Sequence, residues 1–142
     1  MRNTTPYLHF KGQAEEAMNF YKAVLGGEFT GFQRYKDVPG GEKMAASDKD
    51  RLIHIALQVS PFITIMASDM MQSAEAECVS GNNYHICLHT ESEAETQKLF
   101  EGLSKDGHIE MPLNKTFWGA YFGMCQDKFG VHWMFNYMPE GK

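Results

Sequence analysis

Histidines dominate the side chains of this sequence that could do chemistry. The chain has six of them in 142 residues. His9, His54 and His85 lie in short runs that alternate apolar and polar residues, a pattern typical of half-buried β-strands. Imidazole transfers protons near neutral pH and binds divalent metals. The three residues therefore predict either acid–base chemistry, with His54 and His85 as candidate catalytic residues, or a metal site formed by His9, His54 and His85.

The predicted strands each separate an apolar face from a mixed face. In residues 51–59, isoleucine, leucine and valine alternate with His54, Ala56 and Gln58. A sheet with one face in water gives the same alternation. Because several strands repeat the mixed face, we expect a cup that binds a small molecule. The residues expected to line it are Tyr7, His9, His54, Gln58, Thr64, Met66, His85, Trp118 and Met134.

The order of predicted elements repeats along the chain. Helical spacing over residues 14–25 and 92–104 follows a first strand in each half, and three strands come after each helix. The predicted fold class is α+β, with two βαβββ modules that form a cup-shaped, half-open mixed sheet with the helices outside. The modules are expected at residues 1–69 and 83–142, joined by a linker at 70–82.

Several local features complete this prediction. Residues 36–50 are expected to form a turn or mobile loop, residues 112–117 a loop, and residues 118–125 a strand. Asp69 and Asp127 are expected to stabilise turns, and Trp133 to lie in the core. His132 is expected to be solvated at a strand end.

Composition excludes several classes of partner. The net charge of −5 argues against nucleic-acid binding. No apolar run reaches the roughly 18 residues of a membrane span, and the amino terminus lacks a signal-peptide pattern. The three cysteines show no pairing pattern. We therefore expect a cytoplasmic protein without nucleic-acid or membrane partners.

The first part of the chain contains the motifs Pro6-Tyr7-Leu8-His9-Phe10, Glu16-Ala17-Met18-Asn19-Phe20-Tyr21 and Leu25-Gly26-Gly27. They resemble the opening of the vicinal oxygen chelate superfamily, which includes glyoxalase I, bleomycin-resistance proteins and extradiol dioxygenases. Four later features narrow the resemblance to the PhnB-like branch of that superfamily: His54, Ser68-Asp69, Phe117-Trp118-Gly119 and Asp127-Lys128-Phe129-Gly130-Val131-His132-Trp133.

The resemblance implies paired βαβββ modules, commonly in a homodimer. It also implies a divalent metal held at four strand positions, which fall here on Tyr7, on Thr64 or Met66, on His85 and on Met134. Only His85 is a suitable ligand, because Met and neutral Tyr are poor ligands for such a cation. We therefore expect no cofactor, with a divalent metal on His9, His54 and His85 as the alternative.

The resulting functional prediction is a protein that binds a small, partly apolar or aromatic molecule without a metal. One alternative is a metal-dependent or histidine-based lyase, isomerase or dioxygenase. The second is the demethylubiquinone methyltransferase activity for which many PhnB-like proteins are named, although the sequence has no glycine-rich strand-to-helix loop for a cofactor.

Overall fold

The computed structural model describes residues 1–139, which fall into two compact units that divide between Val79 and Ser80. Each unit has the element order βαβββ, so the predicted repeat and the α+β class are confirmed. The module limits 1–69 and 83–142 stay a prediction, and residues 140–142 of the second lie outside the described part. Among residues 1–139, no helix is long and apolar enough to span a membrane.

The first unit consists of an open four-stranded sheet and one long helix. Its strand order is β1-β4-β3-β2, with β1 parallel to β4 and the other pairs antiparallel. Ala17, Met18 and Tyr21 form the buried stripe of the helix, at the spacing that predicted it. The elements are β1 (Tyr7–Phe10), α1 (Ala14–Leu25), β2 (Glu28–Arg34), α2 (Ala46–Lys49), β3 (Leu52–Ser60) and β4 (Ile63–Asp69).

A buried carboxylate joins the first helix to its sheet. Asp69, only 2% exposed, ends β4. Its Oδ1 accepts hydrogen bonds from the backbone N–H groups of Gly12 and Ala14, both at 2.9 Å, and its Oδ2 accepts one from Leu52 at 3.0 Å. Gln13, the residue before α1, makes no side-chain cap. Asp69 therefore takes the place of a local N-cap, and its charge suits the positive end of the helix dipole.

The second unit repeats this plan. The strand order is β5-β8-β7-β6, with β5 parallel to β8. Ser92 accepts a hydrogen bond from the Glu95 backbone and so begins the helix. Phe100 packs edge-on against Phe135 across the helix–sheet interface. The elements are β5 (Ile86–His89), α3 (Glu93–Ser104), β6 (His108–Lys115), β7 (Tyr121–Gln126) and β8 (His132–Tyr137).

Asp127 organises the turn between β7 and β8, as predicted. Its Oδ1 accepts hydrogen bonds from the backbone N–H groups of Phe129 and Val131, at 2.8 and 3.1 Å. Its Oδ2 accepts one from the indole Nε1 of Trp133 at 2.8 Å. Trp133 is fully buried, which confirms its predicted place in the core. The carboxylate therefore joins the turn to the largest side chain of the core.

Residues 36–50, predicted as a turn or mobile loop, contain short helical turns at Tyr35–Asp37 and Gly41–Lys43 before α2. Two other local predictions were wrong. Residues 112–117 are not all loop, because β6 continues through Pro112 to Lys115. Proline is tolerated there because β6 is an edge strand. The third strand of this unit begins at Tyr121 rather than at residue 118.

The Asp69 contacts predict a large stability effect. Replacing Asp69→Ala leaves three backbone donors without their acceptor, so we expect the free energy of unfolding to fall by about 3 kcal/mol. Urea denaturation followed by circular dichroism measures this change. Asp50→Ala is the matched control because Asp50 is exposed and its carboxylate pairs with Lys36 at the surface, where ion pairs contribute little. Equal midpoints for the two variants would contradict the proposed role of Asp69.

Candidate functional site

Two imidazoles and one carboxylate meet in the second unit. His85 Nε2 lies 3.1 Å from Glu110 Oε1, and His132 Nδ1 lies 3.3 Å from the same oxygen. An ionised carboxylate only accepts hydrogen bonds, so both imidazoles donate to it. The three ligand-capable atoms all lie within 4.8 Å of one another. We call these three residues the His–Glu–His cluster.

Three parts of the sheet contribute to this cluster. His85 immediately precedes β5, Glu110 lies on β6, and His132 begins β8. Ile109 pairs with Cys125 and Met111 pairs with Met124, so Glu110 is an extra residue in β6, at a β-bulge. Bulges re-aim side chains and are frequent beside functional sites. The bulge therefore lies at Glu110, the residue whose carboxylate contacts the two imidazoles.

His132 is buried, so the prediction that it is solvated was wrong. It is 4% exposed. The Tyr84 ring packs against its imidazole edge-on, with ring centroids 5.5 Å apart. The Tyr84 hydroxyl also accepts a hydrogen bond from the His132 backbone N–H at 3.4 Å. These contacts fix the orientation of the imidazole toward Glu110.

The surroundings of Glu110 favour its charged form. Burial alone would raise the pKa of its carboxyl group. Hydrogen bonds from His132 and His85, with the positive charge of these imidazoles when they are protonated, outweigh burial and hold the pKa of Glu110 below its ordinary value of 4.5. Glu110 is therefore an anion at neutral pH, which suits both a cation and a hydrogen-bond donor.

An open pocket of about 450 Å³ adjoins the cluster. Glu110 and His132 belong to its wall, and the other lining residues carry amides, a hydroxyl and bare backbone. These are Ser80, Gly81, Asn82 and Gln126. None of the six was a predicted ligand-binding residue. Glu110 alternates with Ile109 and Met111, but an acidic residue in such a pattern usually faces solvent.

The first unit carries a separate set of predicted residues on one face of its sheet. Tyr7 Oη lies 3.0 Å from His54 Nδ1, and His9 Nδ1 lies 3.1 Å from Ser68 Oγ. Strand pairing places Tyr7 opposite Met66 and Gln58 opposite Thr64. The predicted mixed face therefore exists. A role for these residues in ligand binding stays a prediction.

The remaining predicted residues belong to the second unit. Trp118 is 51% exposed and packs edge-on against Phe117 and Phe122, and its role in lining a ligand site stays a prediction. Met134 is half-buried and pairs with Cys87 and Met124 across the sheet. His9 and His54 lie in the first unit and His85 in the second, so their convergence stays a prediction.

The metal positions implied by the family do not fit the residues of the first unit. Tyr7 and Met66 stand side by side there, and Tyr7 is engaged with His54. The equivalent pairing in the second unit places Ile86 opposite Trp133, so the preceding residues are His85 and His132. This register moves the last-strand position from Met134 to His132. At these paired positions the second unit has two histidines, which can bind a metal, whereas the first unit has Tyr7 and Met66.

The Tyr7–His54 hydrogen bond predicts a local spectroscopic effect. Replacing Tyr7→Phe should change the ¹⁵N frequency of His54 Nδ1, because that nitrogen loses its partner, while stability changes by no more than about 1 kcal/mol. Long-range ¹H–¹⁵N correlation spectra measure the shift. Tyr84→Phe is the matched control and should perturb His132 instead. An unchanged His54 signal in Tyr7→Phe would contradict the contact.

Comparisons with known proteins agree with the fold and the motifs. The family model for 3-demethylubiquinone-9 3-methyltransferase matches residues 2–135. Protein PA1353 from Pseudomonas aeruginosa is 34% identical, with a TM-score of 0.82 over 97% of this chain and 98% of that one. The PhnB protein from Bacillus cereus is 27% identical, with a TM-score of 0.72 over 96% of this chain and 99% of that one.

A more distant structure extends the likeness in fold. The glyoxylase/bleomycin resistance protein/dioxygenase domain from Frankia sp. EAN1pec is 10% identical, with a TM-score of 0.64 over 100% of this chain and 96% of that domain. The family model over residues 2–135 shows that the chain belongs to the 3-demethylubiquinone-9 3-methyltransferase family, and its motifs resemble those of the PhnB-like branch of the vicinal oxygen chelate superfamily.

Proposed function

We propose that this protein binds a small molecule in the pocket of the second unit. The observation that carries the proposal is the pocket of about 450 Å³, whose wall includes Glu110, His132 and the side-chain amides of Asn82 and Gln126. Ligand pockets commonly range from about 300 to 1,000 Å³ and orient their ligand through a few polar groups. This pocket has both properties.

The lining indicates how the ligand is recognised. Glu110 accepts hydrogen bonds, while Asn82 and Gln126 can both donate and accept them. A ligand with a hydroxyl or amide group beside a carbonyl oxygen matches this arrangement. The sequence led us to expect a partly apolar or aromatic ligand. The residues that line this pocket are polar, so that expectation stays a prediction.

The polar face of the first unit supports a second, enzymatic possibility. Tyr7 and His54 form a phenol–imidazole pair, which can transfer a proton. A histidine-based lyase, isomerase or dioxygenase remains the alternative function. A homodimer and a cytoplasmic location belong to the proposal on the strength of the family resemblance and the sequence.

Binding should depend on the pocket and not on its surroundings. Screening a panel of small phenols, quinols and hydroxy acids by thermal shift should identify a compound that stabilises the protein. Asn82→Ala should weaken binding of that compound about tenfold, because a direct hydrogen bond is lost. Calorimetry measures the affinity.

Asn83→Ala is the matched control, since Asn83 is the exposed neighbour of Asn82 and does not belong to the pocket wall. It should bind as the unmodified protein does. No stabilising compound in the panel, or equal losses in the two variants, would count against the proposed pocket.

The methyltransferase activity in the family name can be tested separately, by measuring the binding of S-adenosylmethionine. If the protein binds a small molecule without transferring methyl groups, S-adenosylmethionine should produce no saturable heat in a calorimetric titration. The physical reason is that the sequence lacks the glycine-rich loop by which common cofactor folds hold such a ligand. Saturable binding at one molecule per chain would instead favour the methyltransferase.

A further inference from the structure

Four sulfur-containing side chains lie in one row across the sheet of the second unit. Strand pairing places Cys87 of β5 opposite Met134 of β8. Met134 in turn lies opposite Met124 of β7, which pairs with Met111 of β6. Residues that pair directly across neighbouring strands project from the same face of a sheet. Every strand of this sheet therefore contributes one sulfur atom to the row, and we call these four residues the sulfur row.

The sulfur row lies on the face of the sheet that does not form the core. Its two outer members are exposed, and its two inner members are half-buried. Neighbouring residues of a strand point to opposite faces, so the buried residues next to the row belong to the other face. These are Cys125, Trp133 and Phe135. The sulfur atoms are therefore accessible from one side.

Polar residues flank the sulfur row on both sides. His132 pairs with Gln126 on one side, and His89 pairs with Asn136 on the other. A sheet face that meets water ordinarily carries polar side chains. Packing of the core therefore does not explain why all four strands carry sulfur at this one level.

The spacing of the sulfur row allows several sulfur atoms to reach one ion. Directly paired residues have Cβ atoms about 4.5–5.5 Å apart. Sulfur ligands bound at about 2.3 Å lie roughly 4 Å from one another around a metal ion. Met134 has a sulfur neighbour on each side, and a methionine side chain has three rotatable bonds. Small rotations therefore suffice to bring three sulfur atoms around one ion, with Met111 as a fourth ligand.

We propose that the sulfur row binds a soft monovalent metal ion, Cu⁺. Thioether and thiolate ligands select Cu⁺, whereas Zn²⁺ sites use thiolate, imidazole and carboxylate ligands, and Mg²⁺ and Ca²⁺ sites use oxygen ligands. Cys87 releases its thiol proton to water on binding, and the thiolate then neutralises the charge of the ion. The three methionines add uncharged ligands that carry no proton.

This Cu⁺ site is separate from the pocket of the proposed function. No member of the sulfur row belongs to the His–Glu–His cluster or to the pocket wall. The inference goes beyond the proposed small-molecule function, and it contradicts the metal-free protein expected from the sequence. It differs from the implied family site in its ligand atoms, in the charge of its ion and in the use of all four strands of one sheet.

A competition experiment measures Cu⁺ binding directly. The full chain, untagged, reduced and free of oxygen, should take up one Cu⁺ per chain in the presence of bicinchoninate, a coloured Cu⁺ chelator. X-ray absorption at the copper edge should show sulfur neighbours. Met134→Leu should lower the affinity by about tenfold or more, because the central thioether is lost while the side-chain volume is nearly preserved. Met124→Leu should lower it in the same way.

Three control variants separate the sulfur row from other ligands. Met138→Leu changes an exposed methionine of the same unit that lies outside the row, and Cys78→Ser changes a cysteine of the first unit. Both should leave the affinity for Cu⁺ unchanged. His85→Asn should also leave it unchanged, since no imidazole takes part. Circular dichroism and thermal unfolding compare the apo variants, and Met124→Leu carries the test if Met134→Leu does not fold.

The proposal has several ways to fail. It is overturned if the chain takes up no Cu⁺ from the chelator, or if a folded Met134→Leu or Met124→Leu variant keeps its full affinity. An equal loss in Met138→Leu or Cys78→Ser, or a loss in His85→Asn, would also overturn it, because other ligands would then hold the ion. The Asn82 pocket test uses different residues and a different ligand, so the two proposals can fail separately.

Discussion

The second unit depends on one buried carboxylate, that of Asp127. It holds the backbone of Val131 with one oxygen and the indole of Trp133 with the other. These two residues flank His132 and direct their side chains to the buried side of the sheet. Because neighbouring residues of a strand point to opposite faces, His132 must point to the other side, where Glu110 lies. A contact that stabilises the core thereby also orients a residue of the candidate site.

Much of the fold could be predicted from the sequence because it depends on periodicity. The stripe of Ala17, Met18 and Tyr21 and the alternation in β3 identify their elements without tertiary information. The errors fall where tertiary context decides. Pro112 belongs to a strand only because its strand lies at a sheet edge, and Asp48 in the segment 36–50 accepts a hydrogen bond from the distant Gln72 backbone N–H, a contact that no local pattern reveals.

The candidate site was predicted less completely. His85 was identified, and the mixed face of the first sheet was correctly assigned from alternation. The prediction that His132 is solvated failed because Tyr84 covers it through a contact between residues 48 positions apart. Glu110 was missed because its reach depends on a bulge. A bulge forms where two residues of one strand lie opposite one residue of the next strand. The sequence of one strand alone does not show where this happens.

The irregular edge of β6 has a consequence for assembly. An exposed edge strand is a template onto which another chain can add a strand. In β6 the register shifts twice within residues 109–114, and Pro112 has no N–H to donate. Continuous backbone pairing along this stretch is therefore unavailable to an incoming chain. The feature that presents Glu110 to the two imidazoles also protects the protein against uncontrolled growth of its sheet.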